Sequence, residues 1–304
     1  MKGSRRPPFF SKPSAGPGQQ TRADRPSSRP PHPQRPARGG AGATSHAGPT
    51  SHRGPRKDRA AGSSLDAELA VYGRHAVEAT LRFQRDRART LHHGAGRDVV
   101  PIVELAGTLG VSTQLCEPDT LDALAGKGAA HQGLVLACGP FPYVDIEDFD
   151  AAPSLSLVLD GLEDPRNLGA AARAAYALGA DLVVVPRDRA CAVTASALKA
   201  SAGALARIPV AQVQNLSRAL QQLKDKGAWL VGAEADASMP PWQVDLKSQI
   251  VLVVGGEDRG LRRLTREACD HVVSIPMPAP DMSLNAADAA TVLLYEALRQ
   301  RRGG

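Results

Sequence analysis

The stretch that decides the fold is LSLVLDGLEDPRNLGAAARAAYALGADLVVV, residues 155–185. Its first six residues are almost wholly apolar and end at Gly161, which is typical of a buried strand followed by a turn. The alanine-rich segment 170–178 predicts a helix, and Gly179 stands where a helix commonly ends. A second apolar run, 182–185, follows at once. Strand, loop, helix and strand within about 30 residues indicate one βαβ unit of a parallel sheet.

The same alternation continues toward the C-terminus. A helix is predicted over 195–205 and a final helix over 283–300, and the apolar runs between them predict strands at 208–213, 229–232, 249–254 and 271–275.

Three loops rich in glycine or proline follow strands of this series. They are 161–169, 255–260 and 276–285. In open α/β sheets, ligands bind outside the carboxyl ends of the strands. The three loops together therefore predict a binding site at that edge of the sheet.

The third loop is stiffened by three prolines within five residues, in the stretch SIPMPAPDMSLN at 274–285. Proline fixes φ and removes a backbone donor, so this stretch is neither helix nor central strand. It leads Ser283, Leu284 and Asn285 to the start of the final helix, where backbone and small polar groups can meet a ligand. Ser283 also has a simpler interpretation as the N-cap of that helix.

The sequence GGEDRG at 255–260 does not match the dinucleotide fingerprint GxGxxG, and the chain has no GK[ST] for a Walker lysine. A dinucleotide oxidoreductase and a P-loop NTPase are therefore disfavoured. Arg173 is the only charge in the alanine-rich helix. On the residues alone it is equally well a surface arginine, and Glu257 is equally well a partner for a helix dipole.

A small first domain of α/β type is predicted over 66–143, with a linker over 144–153 and the larger domain over 154–304. Its most basic segment, 82–93, favours a solvated face over phosphate contacts. Its predicted elements are helices at 74–81 and 101–106 and strands at 111–115 and 133–138.

Residues 1–65 form a tail with a separate charge balance. They hold 13 of the 37 Lys and Arg residues and 2 of the 31 Asp and Glu residues, a net charge of +11. The remaining 24 basic and 29 acidic residues leave the rest of the chain at −5. Rich in Pro, Gly, Ser and Arg, the tail is predicted to be disordered. A solubilising tail and an electrostatic arm that contacts RNA phosphates are equally supported.

Four cysteines lie far apart, without a CxxC pair or a histidine cluster, which predicts reduced thiols and neither a disulfide scaffold nor a metal site. No apolar run reaches membrane-spanning length. The basic N-terminus has no hydrophobic region after it, so a secretory signal is not predicted, and the cytoplasm is favoured over an organelle.

Three blocks of the sequence resemble the motifs of the SpoU-type (TrmH-like) RNA ribose 2′-O-methyltransferases of the SPOUT class. They are 160–169 with Arg173, 255–261, and 274–277 with 283–285. Their order and spacing match over about 150 residues. The first domain, with YGRHAV at 72–77 and HQG at 131–133, resembles the L30e-like substrate-binding domain of the branch that methylates a guanosine ribose in 23S ribosomal RNA.

The resemblance implies a trefoil-knotted parallel-sheet domain that binds S-adenosylmethionine (AdoMet) and works as a homodimer with a shared active site. It implies no metal. The matching cofactor-binding positions are Gly255, Ile275, Met277 and Leu284. At Asp288, one turn into the final helix, the chain departs from the family pattern.

The functional polar residues that the resemblance implies are Asn167, Arg173, Glu257, Ser283 and Asn285. A ribose 2′-OH is a very weak acid, so its developing oxyanion needs stabilisation. Arg173 is predicted as a base or as an electrostatic stabiliser, and the second role is physically easier because guanidinium resists deprotonation. A tRNA methyltransferase and a non-catalytic RNA-binding ribosome-assembly protein are the alternatives.

Overall fold

The computed structural model describes residues 69–256, 260–279 and 282–303. The predicted basic tail, 1–65, and Glu257 lie outside the described residues. All described residues belong to one compact unit. Within them, no helix combines the length and the apolar character needed to cross a membrane.

The first part of the described chain builds a mixed four-stranded sheet. Its strands are β1 (Leu69–Tyr72), β2 (Ala88–His93), β3 (Ser112–Leu115) and β4 (Leu134–Cys138). They lie in the order β1–β4–β2–β3, with β4 antiparallel to both neighbours and β3 parallel to β2. The helices of this part are α1 (Arg74–Phe83), α2 (Val100–Thr108) and α3 (Pro118–Ala125).

Strand β2 was not predicted from the sequence, whereas the exposed Arg82 and Arg89 agree with the expected solvated basic face at 82–93. Residues 88–93 pair on both sides, and Leu91 is fully buried while Arg89 is exposed. A strand with one buried face needs few apolar residues, because alternate side chains point to opposite faces of the sheet. Helix α3 was also absent from the sequence-based expectation.

The second part is a parallel six-stranded sheet within the described residues. Its strands are β5 (Leu155–Asp160), β6 (Leu182–Pro186), β7 (Val210–Val213), β8 (Trp229–Ala233), β9 (Ile250–Gly255) and β10 (His271–Val273). They lie in the order β10–β8–β9–β5–β6–β7, and every pair is parallel. The helices are α4 (Pro165–Ala177), α5 (Ala195–Ala200), α6 (Leu216–Asp225), α7 (Arg263–Ala268) and α8 (Ala286–Arg301).

The predicted α/β fold with a parallel sheet is confirmed. Strands β5, β6 and β9 are buried at every residue, which explains why the sequence shows continuous apolar runs and no alternation. The trefoil knot and the domain boundaries stay predictions.

Three helix boundaries differ from the expected ones. Helix α4 begins at Pro165, so Asn167 lies in its first turn and not in a loop; Asp164 caps it, and proline suits a first turn. Helix α8 begins at Ala286 with Asn285 as its N-cap, so Ser283 is not the cap. Helix α5 ends at Ala200 because the chain turns through Gly203, whose φ is +91°.

The predicted linker, 144–153, is tied to the second sheet. The Val144 N–H donates to the Val210 carbonyl at 2.9 Å, so residue 144 lies beside β7. The Lys226 ammonium donates to the carbonyls of Ile146 and Phe149. These contacts fix the position of the segment that connects the two sheets.

Candidate active site

The three predicted loops follow strands of one sheet and open toward the same edge. Strands β5 and β9 are direct neighbours, and β8 separates β9 from β10. A cavity of about 340 Å³ lies at the ends of β8, β9 and β10, beside the start of α8. Its lining is mainly apolar, and its size is within the range of small-molecule sites.

All four predicted cofactor-binding residues line this one cavity. They are Gly255, Ile275, Met277 and Leu284. Ser283 and Asn285, for which a polar role toward the ribose is predicted, line it too. Residues far apart in the sequence therefore meet at one space, as expected for loops at the carboxyl edge of a parallel sheet.

The turn after β9 depends on glycine because two backbone segments touch. A Cβ at position 255 would overlap the backbone of Gly260 and Leu261, and a Cβ at position 256 would lie 2.6 Å from the Gly161 carbonyl oxygen. The Gly260 N–H donates to the Gly256 carbonyl at 3.0 Å and closes the turn. The glycines thus let the turn after β9 pack directly against itself and against Gly161, at the wall of the cavity.

An ion pair between a buried carboxylate and a partly exposed guanidinium joins the segment after β9 to the end of β5. The Asp160 side chain is fully buried, and its Oδ2 accepts the Arg262 backbone N–H at 3.0 Å. The Arg262 Nε lies 3.3 Å from Oδ1, and its guanidinium also donates to the Arg189 carbonyl at 3.0 Å. These contacts therefore tie residue 262, after the turn, to the end of β5.

Asn285 has a structural role besides its place at the cavity. Its Oδ1 accepts the Ala287 N–H at 2.8 Å and caps α8. This contact fixes the orientation of a side chain that lines the cavity. Ser283, two residues earlier, is exposed there.

Asn167 and Arg173 do not line this cavity among the described residues. Both lie on α4, whose first turn is capped by the Asp164 carboxylate at 2.8 Å from the Arg166 nitrogen. That backbone hydrogen bond, with the Arg166 side chain, lowers the pKa of Asp164. Arg173 is exposed on the next turns of the helix. The structure thus brings together six of the predicted site residues and leaves these two apart from the cavity.

The sequence-based prediction missed Glu234, which lies directly after β8 and lines the cavity. Its N–H donates to the Val273 carbonyl at 3.0 Å, and its carboxylate accepts from the Arg266 Nε at 2.7 Å. The prolines of this segment, Pro240 and Pro241, begin six residues after Glu234, so the residues next to the strand end carry no glycine or proline. The available signal was topological, because β8 is also a parallel strand and ends at the same edge.

The cysteines and metal-binding residues offer no further chemistry. All four cysteines are free thiols. Burial raises the pKa of Cys191 to about 11 and that of Cys269 to about 12, so both are protonated at neutral pH. In the described parts of the chain, no three His, Cys, Asp or Glu side chains are grouped closely enough to hold a metal ion.

Matches to two protein-family models show which class of protein this chain belongs to. Residues 154–295 match the model of the SpoU rRNA Methylase family, and residues 70–144 match the model for RNA 2′-O ribose methyltransferase substrate binding. The chain belongs to the SpoU rRNA methylase family.

Particular relatives are similar over most of the chain. The 23S rRNA (guanosine-2′-O-)-methyltransferase RlmB of Shewanella oneidensis is 39% identical over 240 residues, which cover 76% of this chain and 97% of the relative. A protein of Mycolicibacterium vanbaalenii named "Uncharacterized tRNA/rRNA methyltransferase" is 43% identical over 247 residues, 78% of each chain.

A solved structure is similar as well. The SpoU methyltransferase AviRb from Streptomyces viridochromogenes has a TM-score of 0.67 and 28% identity, with coverage of 78% of this chain and 91% of that chain. AviRb has also been solved in complex with the cofactor AdoMet, with a TM-score of 0.67, 27% identity and coverage of 78% and 92%.

Proposed function

We propose that this protein transfers a methyl group from AdoMet to a ribose 2′-OH of RNA, at a guanosine of 23S ribosomal RNA. The observation that carries the proposal is the single cavity lined by Gly255, Ile275, Met277 and Leu284. The RlmB relative, matched over 97% of its length, supports the 23S substrate. We place the activity in the cytoplasm on the identity of that substrate.

The cavity fits AdoMet in size and chemistry. Its mainly apolar lining suits an adenine ring, and Ser283, Asn285 and Glu234 at the same cavity offer polar groups to the rest of the molecule. The AdoMet complex of AviRb supports this assignment. When bound, AdoMet supplies an electrophilic sulfonium methyl group.

The remaining chemistry concerns the ribose hydroxyl. A guanidinium remains protonated at any physiological pH, so we assign Arg173 the stabilisation of the developing oxyanion. We assign Asn167, Ser283 and Asn285 the orientation of the ribose and its phosphate by hydrogen bonds. Glu257 would hold Arg173 or a neighbouring donor.

A second copy of the chain completes the site in this proposal. Asn167 and Arg173 are apart from the cavity of their own chain, whereas Ser283 and Asn285 line it. A homodimer in which α4 of one copy meets the cavity of the other would bring all of these residues together. The buried small residues of α4 pack within its own chain, whereas Ala170 and Ala177 are exposed and would permit the close approach of a second copy.

Labelled AdoMet provides the test. We expect the protein to label 23S rRNA from a strain that lacks the modification, and nuclease mapping to place the label on one guanosine ribose. Label confined to tRNA would favour the second candidate function, a tRNA ribose 2′-O-methyltransferase. The name of the M. vanbaalenii relative supports this candidate. Absence of label from every RNA would favour a non-catalytic RNA-binding protein.

A further inference from the structure

Helix α5 lies between the small sheet and the helix that carries Arg173. On one side it packs against α4, where a Cβ at Gly169 would lie 2.7 Å from the Ala200 Cβ. On the other side it packs against β1 of the small sheet. The placement of α4 and that of the small sheet therefore both depend on α5 and the residues after it.

The start of α1 is bound to α5 through one side-chain oxygen. The Lys199 Nζ donates to the Gln132 Oε1 at 2.8 Å, and the Arg74 N–H donates to the same oxygen at 3.1 Å. Gly73, with φ of +84°, leaves the space that the Lys199 side chain fills, because a Cβ there would overlap it. Partial burial lowers the pKa of Lys199.

The other end of α1 is bound to the residues after α5. The Gln84 Nε2 donates to the Leu205 carbonyl at 3.3 Å. The Arg207 guanidinium lies 4.6 Å from the centre of the Phe83 ring and 5.6 Å from that of Tyr176, which is on α4.

The middle of α1 is in backbone contact with the same segment. A Cβ at Gly203 would lie 2.6 Å from the Ala79 Cβ and 2.9 Å from the His75 carbonyl oxygen. Helix α1 thus touches residues 199–207 at its start, middle and end. We call this junction the α1 clamp.

We propose that the α1 clamp is a positioning device for methyl transfer, with Lys199 and Gln132 as its positioning residues. The inference rests on the proposed function. An enzyme that binds a large RNA through one domain and reacts at another must keep the two at a constant separation. A misplacement of about 1 Å can cost about 100-fold in rate. The clamp sets the small sheet, which matches the substrate-binding model, against the helix that carries Asn167 and Arg173.

The clamp also explains two segments to which the proposed chemistry gives no role, 72–77 and 131–133. Gly73 makes room for Lys199, and the backbone of Gln132 adopts φ of +55°, which directs its side chain to both donors. These residues act between the domains and not on the ribose.

The test uses the full-length protein with 23S rRNA that lacks the modification. We expect Lys199→Met and Gln132→Leu each to lower kcat/KM for the RNA about tenfold. The double variant should fall no further than either single one, since all three lose the same hydrogen bond. Gln132→Glu keeps the acceptor oxygen and should stay within about twofold of the unmodified protein. Lys247→Met, at an exposed lysine of the same domain, is the matched control.

Two measurements separate positioning from a general loss of structure. The Kd for AdoMet should be unchanged in every variant, because the cavity lies elsewhere. Amide hydrogen exchange over 74–84 and 199–207 should be faster in Lys199→Met than in Lys247→Met.

The outcomes separate the clamp from the proposed function. Unmodified protein that labels no RNA would contradict the proposed function, and with it any role of the clamp in methyl transfer. Unchanged exchange in Lys199→Met would contradict the clamp itself. Faster exchange with full kcat/KM would show that the clamp does not position the substrate.

Discussion

The cofactor cavity and the α1 clamp both depend on glycines at which two backbones touch, yet one is open and the other closed. At the cavity, Gly255 meets Gly260 and Leu261, and the neighbouring side chains leave a space of about 340 Å³. At the clamp, Gly203 meets Ala79, and polar side chains occupy what remains. Close backbone contact alone therefore does not make a binding site. The side chains around it decide whether the space stays available for a ligand.

Arg173→Ala tests whether α4, which lies next to the clamp, carries the chemistry of the cavity. We expect kcat to fall about 10³-fold, since removal of one oxyanion-stabilising donor typically costs 10²–10³. The Kd for AdoMet should stay within about twofold of its original value, measured by calorimetry.

Arg166→Ala is the control for this change. Arg166 is an exposed arginine on the same helix, and it pairs with Asp164. Turnover of Arg173→Ala close to that of the control would remove the assigned role.

Gly255→Ala tests the open side of the comparison. The added Cβ meets backbone atoms that cannot move independently, so the turn must shift into the cavity. We expect the affinity for AdoMet to fall by more than about 100-fold, or roughly 2.7 kcal/mol. Gly107→Ala, where a Cβ meets nothing within 4 Å, provides the control. An unaltered Kd for the Gly255 variant would exclude this wall as part of the cofactor site.

Gly203→Ala tests the closed side. Both the positive φ and the contact with Ala79 oppose a side chain there. We expect the free energy of unfolding to fall by about 2 kcal/mol, measured in urea. The Kd for AdoMet should change little at low temperature, in contrast to Gly255→Ala. Equal loss of AdoMet binding in the two variants would show that the two regions are not independent.

Asp288→Asn has the smallest expected effect. Asp288 is exposed in the first turn of α8, where a negative charge is favourable near the helix N-terminus. Its loss should lower the free energy of unfolding by about 0.3–1 kcal/mol, measured in the same way. Methyl transfer should be unaffected, and a large loss of kcat would assign Asp288 to the site.

The sequence by itself determined the parallel sheet and most of the cavity. Strands buried on both faces appear as continuous apolar runs, and the turns that follow them need glycine or proline at particular positions. Both signals lie in short stretches of sequence, so they can be recognised without knowledge of the fold. They predicted a binding site at the loops 161–169, 255–260 and 276–285. The resemblance to the SpoU-type motifs assigned Gly255, Ile275 and Leu284 to the cofactor, and all three line one cavity.

Only the tertiary structure decided which distant residues meet. Gln132 and Lys199 are 67 positions apart and form one hydrogen bond, and Glu234 joins the cavity because β8 lies between β9 and β10. The separation of Arg173 from the cavity of its own chain also follows from helix packing. Such contacts depend on the order of strands and the packing of helices, which no short stretch of sequence encodes.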